Sequence, residues 1–415
     1  MQTTPTHVIA VLGGAVSGSE AASIAAERGA LVVVIDQNER PYGKIEDGLP
    51  RWHSALRQKE YAKIDENLAH PNVLFVPSTK LGRDLDWATL TETLGFTSVV
   101  LANGAWRDRP LPASIDAYNG KGLAYQNPFV YWFNHQLDAD YRGQRFDIPD
   151  GAIVIGGGLA SIDCVKIISF VLYGDALRAR GIEVDAETME HEGLPKILAD
   201  HNLTKEELGL RGATLFYRRR AEDMPLVTAE EGNASRAAKL EATRVKLLTK
   251  VLEKYLVSFQ DLSSPVAPIA DGDRLVGVRF QKNAQVDGKL VATDEHVDVA
   301  TTFVVSSIGS IPELIPGVPA KGELYRWKDT ETGALDGTTH DVHGLGNVLT
   351  GKGNIIESRK SSKKVMAQLI DEALARPPIG ADALAHIRDW VNARWANTGY
   401  TGDYRAWIAA RAPSA

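Results

Sequence analysis

Two glycine-rich turns, each lying between an apolar run and a helical stretch, predict an α/β fold with two Rossmann-like dinucleotide-binding domains. The first apolar run, Val8 to Leu12, leads into residues 13–18, and the second, Ala152 to Ile155, leads into residues 156–161. Small residues at these places allow a sharp strand-to-helix turn and let a pyrophosphate approach bare backbone. One such turn also fits a purely structural role, but two in one chain favour two bound dinucleotides.

The bulk composition is that of a globular protein with two or three domains. The chain has 415 residues, of which 44% are hydrophobic and 24% charged, and its formal net charge is −7. It shows neither a basic stripe for nucleic acid nor an apolar stretch long enough to span a bilayer, so neither partner is expected. The first residues lack the pattern of a secretory signal, so a cytoplasmic location is expected.

A single cysteine, Cys164, limits the redox chemistry of the chain's own side chains. One thiol excludes an intrachain disulfide, a Cys-x-x-Cys pair and a self-contained iron–sulfur cluster. Its position in an apolar helix predicts a packing role. None of the ten histidines recurs at metal-ligand spacing, so no metal site is predicted.

The first unit continues as helix and strand after its glycine turn. A helix is predicted over about Gly18 to Arg28, and the continuously apolar run Leu31 to Ile35 is typical of a parallel strand covered on both faces. This strand ends in Asp36, which lies about twenty residues after the turn, where a carboxylate accepts hydrogen bonds from an adenosine ribose. We favour that role over a solvated strand-end aspartate.

Three further elements complete the first predicted sheet. A polar helix is predicted over about Ser54 to Leu68, with strands at Val73 to Val76 and Ser98 to Ala102. The chain leaves this layer at about residue 140, and Asp147 to Asp150 forms the predicted linker into the second unit.

The second unit contains a charged insert after its first helix. The helix is predicted from about Ala160 past Phe170, and the insert covers about residues 174–210. Thr204 and Glu207 form a capping box within it.

Three arginines follow the next predicted strand, Ala213 to Tyr217. Arg218 and Arg219 occupy the place where an NAD-binding unit usually has an acidic residue, and could bind a ribose 2′-phosphate through charge-assisted bonds. That role favours NADPH and requires the insert to loop out without changing the strand order. The alternative is a solvated basic turn.

The rest of the chain supplies a predicted hairpin, Leu275 to Phe280 with Val291 to Asp298, and a strand at Thr302 to Gly309. A helix then ends at about Ala375. Before it, Lys352 is either a phosphate or flavin contact or an exposed loop lysine. Free N–H groups near residues 354–356 could face a flavin oxygen, where the positive end of the helix favours negative charge.

The order of these motifs over nearly the whole chain resembles the two-dinucleotide-binding-domain flavoprotein reductases. The group includes adrenodoxin-reductase-type ferredoxin–NADP reductases and the glutamate synthase small subunit. The run Tyr217 to Pro225 is similar to the glutamate synthase subunit, whereas Phe129 to Asn134 and the insert are similar to adrenodoxin reductase.

The resemblance implies an FAD-binding domain of residues 1–145 and 326–415, with an NADP(H)-binding domain of residues 146–325 inserted into it. The positions implied for FAD are Gly13, Gly14, Ala15, Ser17, Gly18, Asp36, Gly43, Lys44, Asn103, Gly104, Ala105, Gly346, Asn347, Gly353, Asn354 and Ile355. Those implied for NADPH are Gly156, Gly157, Gly158, Leu159, Ala160, Arg218 and Arg219. Asn103 replaces the family's usual Thr, and Asn347 replaces a frequent Asp, so the flavin potential is expected to differ.

The implied function is that of an FAD-dependent oxidoreductase that takes hydride from NADPH and passes electrons onward, to a ferredoxin-like iron–sulfur protein. Hydride transfer requires no acid or base, and no catalytic side chain is predicted. Two alternatives stay open: an NADPH-dependent flavoenzyme that acts directly on a small molecule, and a non-catalytic flavin-binding subunit.

Overall fold

The computed structural model describes residues 5–227, 234–351 and 353–411. These residues form two units. The first unit draws on Met1–Leu49, His53–Arg107 and Ser310–Ala415, and the second on Pro50–Trp52 and Asp108–Gly309. No helix among the described residues is long and apolar enough to cross a membrane.

Strands and helices are numbered in chain order. The strands are β1 (Val8–Leu12), β2 (Leu31–Ile35), β3 (Val73–Val76), β4 (Ser98–Leu101), β5 (Arg107–Asp108), β6 (Leu123–Tyr125), β7 (Ile153–Gly156), β8 (Thr214–Phe216), β9 (Ser258–Gln260), β10 (Ser263–Asp271), β11 (Arg274–Val286), β12 (Lys289–Ala300), β13 (Val304–Ser307), β14 (Ser310–Ile311), β15 (Ala320–Lys321), β16 (Leu324–Tyr325) and β17 (Val342–Gly344). The helices are α1 (Val16–Glu27), α2 (Lys44–Asp47), α3 (Ser54–Leu68), α4 (Ala113–Asp116), α5 (Gln126–His135), α6 (Leu159–Arg178), α7 (Ala186–Glu192), α8 (Leu194–Asp200), α9 (Lys205–Leu208), α10 (Ala234–Tyr255), α11 (Asn347–Thr350), α12 (Ile355–Leu374), α13 (Ala381–Thr398) and α14 (Tyr404–Ala409). A π-helix covers Thr89–Thr93 and a 3-10 helix covers Ala221–Asp223.

The first unit is built on a five-stranded parallel sheet in the order β17-β4-β1-β2-β3. Successive β1 residues point to opposite faces: Ile9 packs with α1 and α12, and Ala10 packs in a separate core that includes Ile387 of α13. Both faces are therefore covered, which explains why β1 and β2 are apolar at every position.

The second unit repeats this arrangement with the order β6-β13-β7-β8-β9, again all parallel. Helices α7 to α9 separate α6 from β8 in the sequence, yet β8 pairs directly with β7. The insert therefore loops out and leaves the strand order unchanged, as the sequence analysis required. The predicted capping box at Thr204 and Glu207 is also confirmed.

A three-stranded antiparallel sheet, β10-β11-β12, covers one face of the second parallel sheet. Phe280 of β11 stacks on Phe216 of β8 with ring centroids 4.3 Å apart. The predicted hairpin is confirmed as β11 and β12, and β10 adds a third strand.

The limits of the second unit differ from the predicted 146 and 325. It begins near residue 108, because β6 pairs with β13 and Phe129 of α5 packs in its core. It ends near residue 309, because Ile315 and Tyr325 pack in the core of the first unit.

Candidate functional site

The turn after β1 has room only for glycine at two of its positions. Gly13 has φ +99°, and a Cβ atom there would lie 2.6 Å from the Ala102 carbonyl oxygen. A Cβ on Gly18 would lie 1.7 Å from the Gly13 carbonyl oxygen, so α1 packs directly against the turn. These approaches explain the glycines at the first and last positions of the motif.

Asp36 lies against this turn with its carboxylate buried. The Gly14 N–H donates to Oδ2 over 2.7 Å, and the Asn38 N–H donates to Oδ1 over 2.9 Å. Burial raises the pKa of Asp36 to about 6, an effect that the two N–H donors partly offset. Each oxygen keeps a further lone pair, so the carboxylate can accept hydrogen bonds from a ligand.

Helix α1 begins at Val16 without a side-chain cap on its first N–H groups. Two predicted residues from distant segments lie beside its start. Gly43, with φ +52°, would place a Cβ 3.0 Å from that of Ala15, and Gly346, with φ +63°, would place one 2.2 Å from Ser17 Oγ. The structure thus brings both predicted glycines to the first turn.

The segment after β4 carries a buried polar atom without a partner. The Asn103 side chain hydrogen-bonds the Tyr325 hydroxyl, while its Oδ1 is buried and accepts no hydrogen bond from the described residues. The Asn103 Cα lies 3.1 Å from where a Gly13 Cβ would be, next to the turn. Gly104 follows with φ +68° and Ala105 is buried.

Lys44 opens α2 directly after Gly43. Its ammonium donates to Ser310 Oγ over 3.1 Å and lies 5.7 Å from the Trp106 ring centroid. The side chain is therefore held within the first unit.

The residues before α12 form a compact group at Asn347. Ser358 Oγ donates to Asn347 Oδ1 over 3.3 Å, and a Cβ on Gly353 would lie 2.6 Å from the same oxygen. Asn354 caps α12 in a capping box with Glu357, which uses the Asn354 N–H. The sequence predicted free N–H groups near residues 354–356, but the Asn354 N–H donates to the Glu357 carboxylate and is therefore not free. Ile355 begins the helix, and Lys352 lies outside the described residues.

The turn after β7 follows the same plan as the first. A Cβ on Gly156 would lie 2.3 Å from the Ser307 carbonyl oxygen, and Ser161 is buried with its Oγ donating to the Gly158 carbonyl over 2.6 Å. A Cβ on Gly158 would have no neighbouring atom of the described residues within 4 Å. Gly158 directly precedes α6, which has no side-chain cap at its start. Leu159 and Ala160 form the first turn of this helix, and Leu159 is exposed.

Strand register makes Tyr217 the counterpart of Asp36. Leu12 pairs with Ile35 in the first sheet, and Ile155 pairs with Phe216 in the second, so Asp36 and Tyr217 each follow the equivalent pair. The Tyr217 ring covers Gly157, where a Cβ would lie 2.1 Å from Cε2. An aromatic ring thus replaces the carboxylate, a substitution that strand prediction by itself did not reveal.

The three arginines after Tyr217 differ in their partners. Arg220 pairs with Asp223 at 3.1 Å and also lies 3.7 Å from Glu222. Arg218 and Arg219 are exposed, and neither forms an ion pair with any residue in the described part of the chain. Two guanidinium groups therefore remain available for an anion.

Cys164 lies in the apolar core of the second unit, and burial raises the pKa of its thiol well above the ordinary value. The described residues contain no group of three or more His, Cys, Asp or Glu side chains placed to hold a metal ion.

The two parallel sheets and their glycine turns define an α/β protein with two Rossmann-like units. Comparison with solved structures confirms this fold class. FprA from Mycobacterium tuberculosis superimposes with a TM-score of 0.72 at 17% identity, over 95% of this chain and 91% of that one. FprA in complex with NADPH gives 0.70 at 18% identity over the same shares.

A more distant likeness is to thioredoxin reductase from T. acidophilum, with a TM-score of 0.52 at 14% identity over 88% of this chain and 98% of that one. The chain therefore shares its fold with FprA and, more distantly, with thioredoxin reductase.

Sequence comparison gives a short match. Glutamate synthase [NADH] of Schizosaccharomyces pombe is 25% identical over 160 residues, which are 38% of this chain and 7% of that protein. No protein-family profile matches the chain.

Proposed function

We propose that the protein is an FAD-dependent oxidoreductase that takes hydride from NADPH and passes the electrons to a ferredoxin-like iron–sulfur protein. The observation that carries the proposal is the pair of equivalent glycine turns with opposite chemistry beside them. A buried carboxylate, Asp36, lies at the first turn, and two guanidiniums that form no ion pair with the described residues, Arg218 and Arg219, follow the second. The fold likeness to FprA, solved in complex with NADPH, supports it.

The residues of the first unit fit FAD. The Asp36 carboxylate would accept from ribose hydroxyls, and the uncapped N–H groups at the start of α1 would bind the pyrophosphate. Asn103 Oδ1, a buried acceptor without a partner, suits an N–H donor of the flavin ring. Bound flavin would supply a group that takes up two electrons as hydride and can release them singly.

The residues of the second unit fit NADPH. Open space at Gly158 and the uncapped start of α6 would receive the pyrophosphate. Arg218 and Arg219 would bind the 2′-phosphate, and Tyr217 in place of an acid removes the charge that would repel it. We therefore assign FAD to the first unit and NADP(H) to the second.

A basic helix supports a small acidic protein as the electron acceptor. The side chains described for α10 include five cations, at Lys239, Arg244, Lys246, Lys250 and Lys254, against two acids, at Glu241 and Glu253. On a chain whose formal net charge is −7, this local excess of positive charge would attract an acidic partner. A cytoplasmic location belongs to the same proposal.

Spectroscopy tests the proposal directly. The purified protein, supplied with FAD and freed of excess, should show flavin absorbance that bleaches under anaerobic titration with NADPH at lower concentration than with NADH. An added acidic ferredoxin should then be reduced in turnover. Bleaching without ferredoxin turnover would favour direct action on a small molecule, flavin without bleaching would favour a non-catalytic subunit, and a colourless protein would contradict the proposal.

A further inference from the structure

The backbone of the arginine turn is held by residues 260–263, a connecting segment made of the end of β9, the two residues that follow it and the start of β10. The Tyr217 N–H donates to the Gln260 carbonyl over 2.9 Å, and the Ser263 N–H donates to the Tyr217 carbonyl over 2.9 Å. The Leu262 N–H donates to the Arg219 carbonyl over 3.1 Å. Backbone groups of the connecting segment thus bind the residues on either side of Arg218, and the Arg218 carbonyl is bound differently.

Asn283 of β11 binds that carbonyl with its side chain. Its Nδ2 donates to the Arg218 carbonyl over 2.9 Å and to Ser264 Oγ over 2.9 Å, so both amide hydrogens are used. The side chain is buried, and the Asn283 N–H donates to the Leu262 carbonyl over 2.8 Å. One residue therefore joins the arginine turn, the connecting segment and the antiparallel sheet.

Two irregularities lie at the same place. The pairing of β11 with β12 shifts register between Gln281 and Asn283. Leu262 has φ +46°, a conformation that non-glycine residues rarely adopt. Such departures persist where the surrounding contacts impose them, and they cluster at functional sites.

We propose that Asn283 is a positioning residue for recognition of the ribose 2′-phosphate, an inference that rests on the NADPH function proposed above. In this proposal Asn283 acts through the Arg218 carbonyl and not through contact with the nucleotide. It fixes the backbone at Arg218, so that two flexible, exposed guanidiniums start from a defined place and lose less freedom when they bind the phosphate. Specificity for a phosphorylated ribose would thus depend on a strand 65 residues away in sequence.

Binding of two nucleotide fragments to the full-length protein tests this inference. By calorimetry, Asn283→Ala should weaken the binding of adenosine 2′,5′-bisphosphate by about tenfold, because the two guanidiniums would start from a less ordered backbone and lose more freedom on binding. Binding of 5′-AMP, which lacks the 2′-phosphate, should be unchanged. In turnover, KM for NADPH should rise while kcat and KM for NADH stay constant.

The matched control is Gln281→Ala. Gln281 is also an amide on β11, but its Nε2 donates to the Thr293 carbonyl of β12 and does not reach the arginine turn. It should leave both fragments' affinities unchanged. Hydrogen exchange across residues 260–264 should accelerate in Asn283→Ala and not in the control.

The outcomes separate this inference from the proposed function. Wild-type protein that binds both fragments equally would remove the 2′-phosphate assignment and this inference together. If Asn283→Ala keeps the wild-type preference for the bisphosphate over 5′-AMP, or loses affinity for both fragments equally, only the inference about Asn283 would be overturned. If Asn283→Ala does not fold, Asn283→Leu, which approximates the shape and removes the donor without adding charge, must weaken binding of the bisphosphate selectively for the inference to stand.

Discussion

The two glycine turns share the packing of their first glycine and differ in the residue that follows the second strand of each unit. Both press their first glycine against a backbone carbonyl of an adjacent strand, Ala102 in one unit and Ser307 in the other. The place after the second strand holds Asp36 in the first unit and Tyr217 in the second. In the proposed function, the shared turn would hold a nucleotide in both units, and the residues after the second strand would decide which ribose is accepted.

The largest effect is expected from closing the first turn. Gly18→Ala would drive a Cβ into the Gly13 carbonyl oxygen, with a loss of about 3 kcal/mol or more in unfolding free energy. Gly158→Ala, at an open position of the second turn, should fold normally. Thermal unfolding and flavin content measure the difference; equal melting of Gly18→Ala and wild type would contradict this packing.

Removing the guanidiniums of Arg218 and Arg219 should abolish a preference for NADPH over NADH. Arg218→Ala combined with Arg219→Ala is expected to raise KM for NADPH about 100-fold and to change KM for NADH little, since two charge-assisted contacts are lost. Arg220→Ala is the matched control, because Arg220 is already paired with Asp223. Equal changes for both nucleotides would remove the 2′-phosphate assignment.

The carboxylate at the first turn predicts pH-dependent flavin binding. With a pKa of about 6 in the FAD-free protein, Asp36 gains a proton as pH falls through that value and loses an acceptor for ribose hydroxyls. FAD affinity should therefore drop below about pH 6, and Asp36→Asn should bind weakly and without this dependence. NADH binding should stay flat, because Tyr217 stands at the equivalent place; fluorescence titration of each nucleotide over pH 5–8 decides it.

The smallest effect is expected at the edge strands β17 and β6, which occupy the same position in the two parallel sheets. Burial lowers the pKa of His343 on β17, but its bonds to Asp341 and the Thr332 carbonyl outweigh burial and raise it. The stabilisation is full below the unfolded histidine pKa and is lost as pH rises through the raised folded value. His343→Asn should thus cost more stability at pH 5.5 than at pH 9.

Tyr125 on β6 provides the comparison for that edge. Its hydroxyl donates a hydrogen bond to Asp116. Burial, and to a smaller extent the Asp116 carboxylate, raise the pKa of Tyr125, so the hydroxyl stays neutral over the same pH range. Tyr125→Phe should cost the same at both pH values. Denaturant unfolding measures both variants, and a flat profile for His343→Asn would contradict the assigned charge.

Sequence reading succeeded where local pattern and long apolar strands carry the signal. The glycine turns, β1, β2 and the two strands of the predicted hairpin follow from such patterns. Helix α10 was not predicted, although apolar residues at Leu240, Leu248, Leu252 and Tyr255 recur at helical spacing. The spacing of these four residues is therefore a local helical signal.

Other features depend on contacts that no local pattern encodes. Strand β6 has three residues, too few for a recognisable period. Because it pairs with β13, the second unit begins earlier in the chain than its predicted limit. The role of Asn283 arises from pairing between segments far apart in sequence, and a lone asparagine in a strand has many possible reasons. The burial of Asn103 Oδ1 without a donor from the described residues likewise depends on tertiary packing, which places Tyr325 beside Asn103.

The discontinuity of the first unit has a consequence for biosynthesis. Strand β17 completes the sheet beside β4, and Gly346 meets Ser17 at the start of α1, yet these partners are translated on opposite sides of the whole second unit. On a ribosome the inner unit can fold while the outer one still waits for its closing segment. In the proposed function, the first unit would therefore acquire FAD late, after most of the polypeptide has emerged.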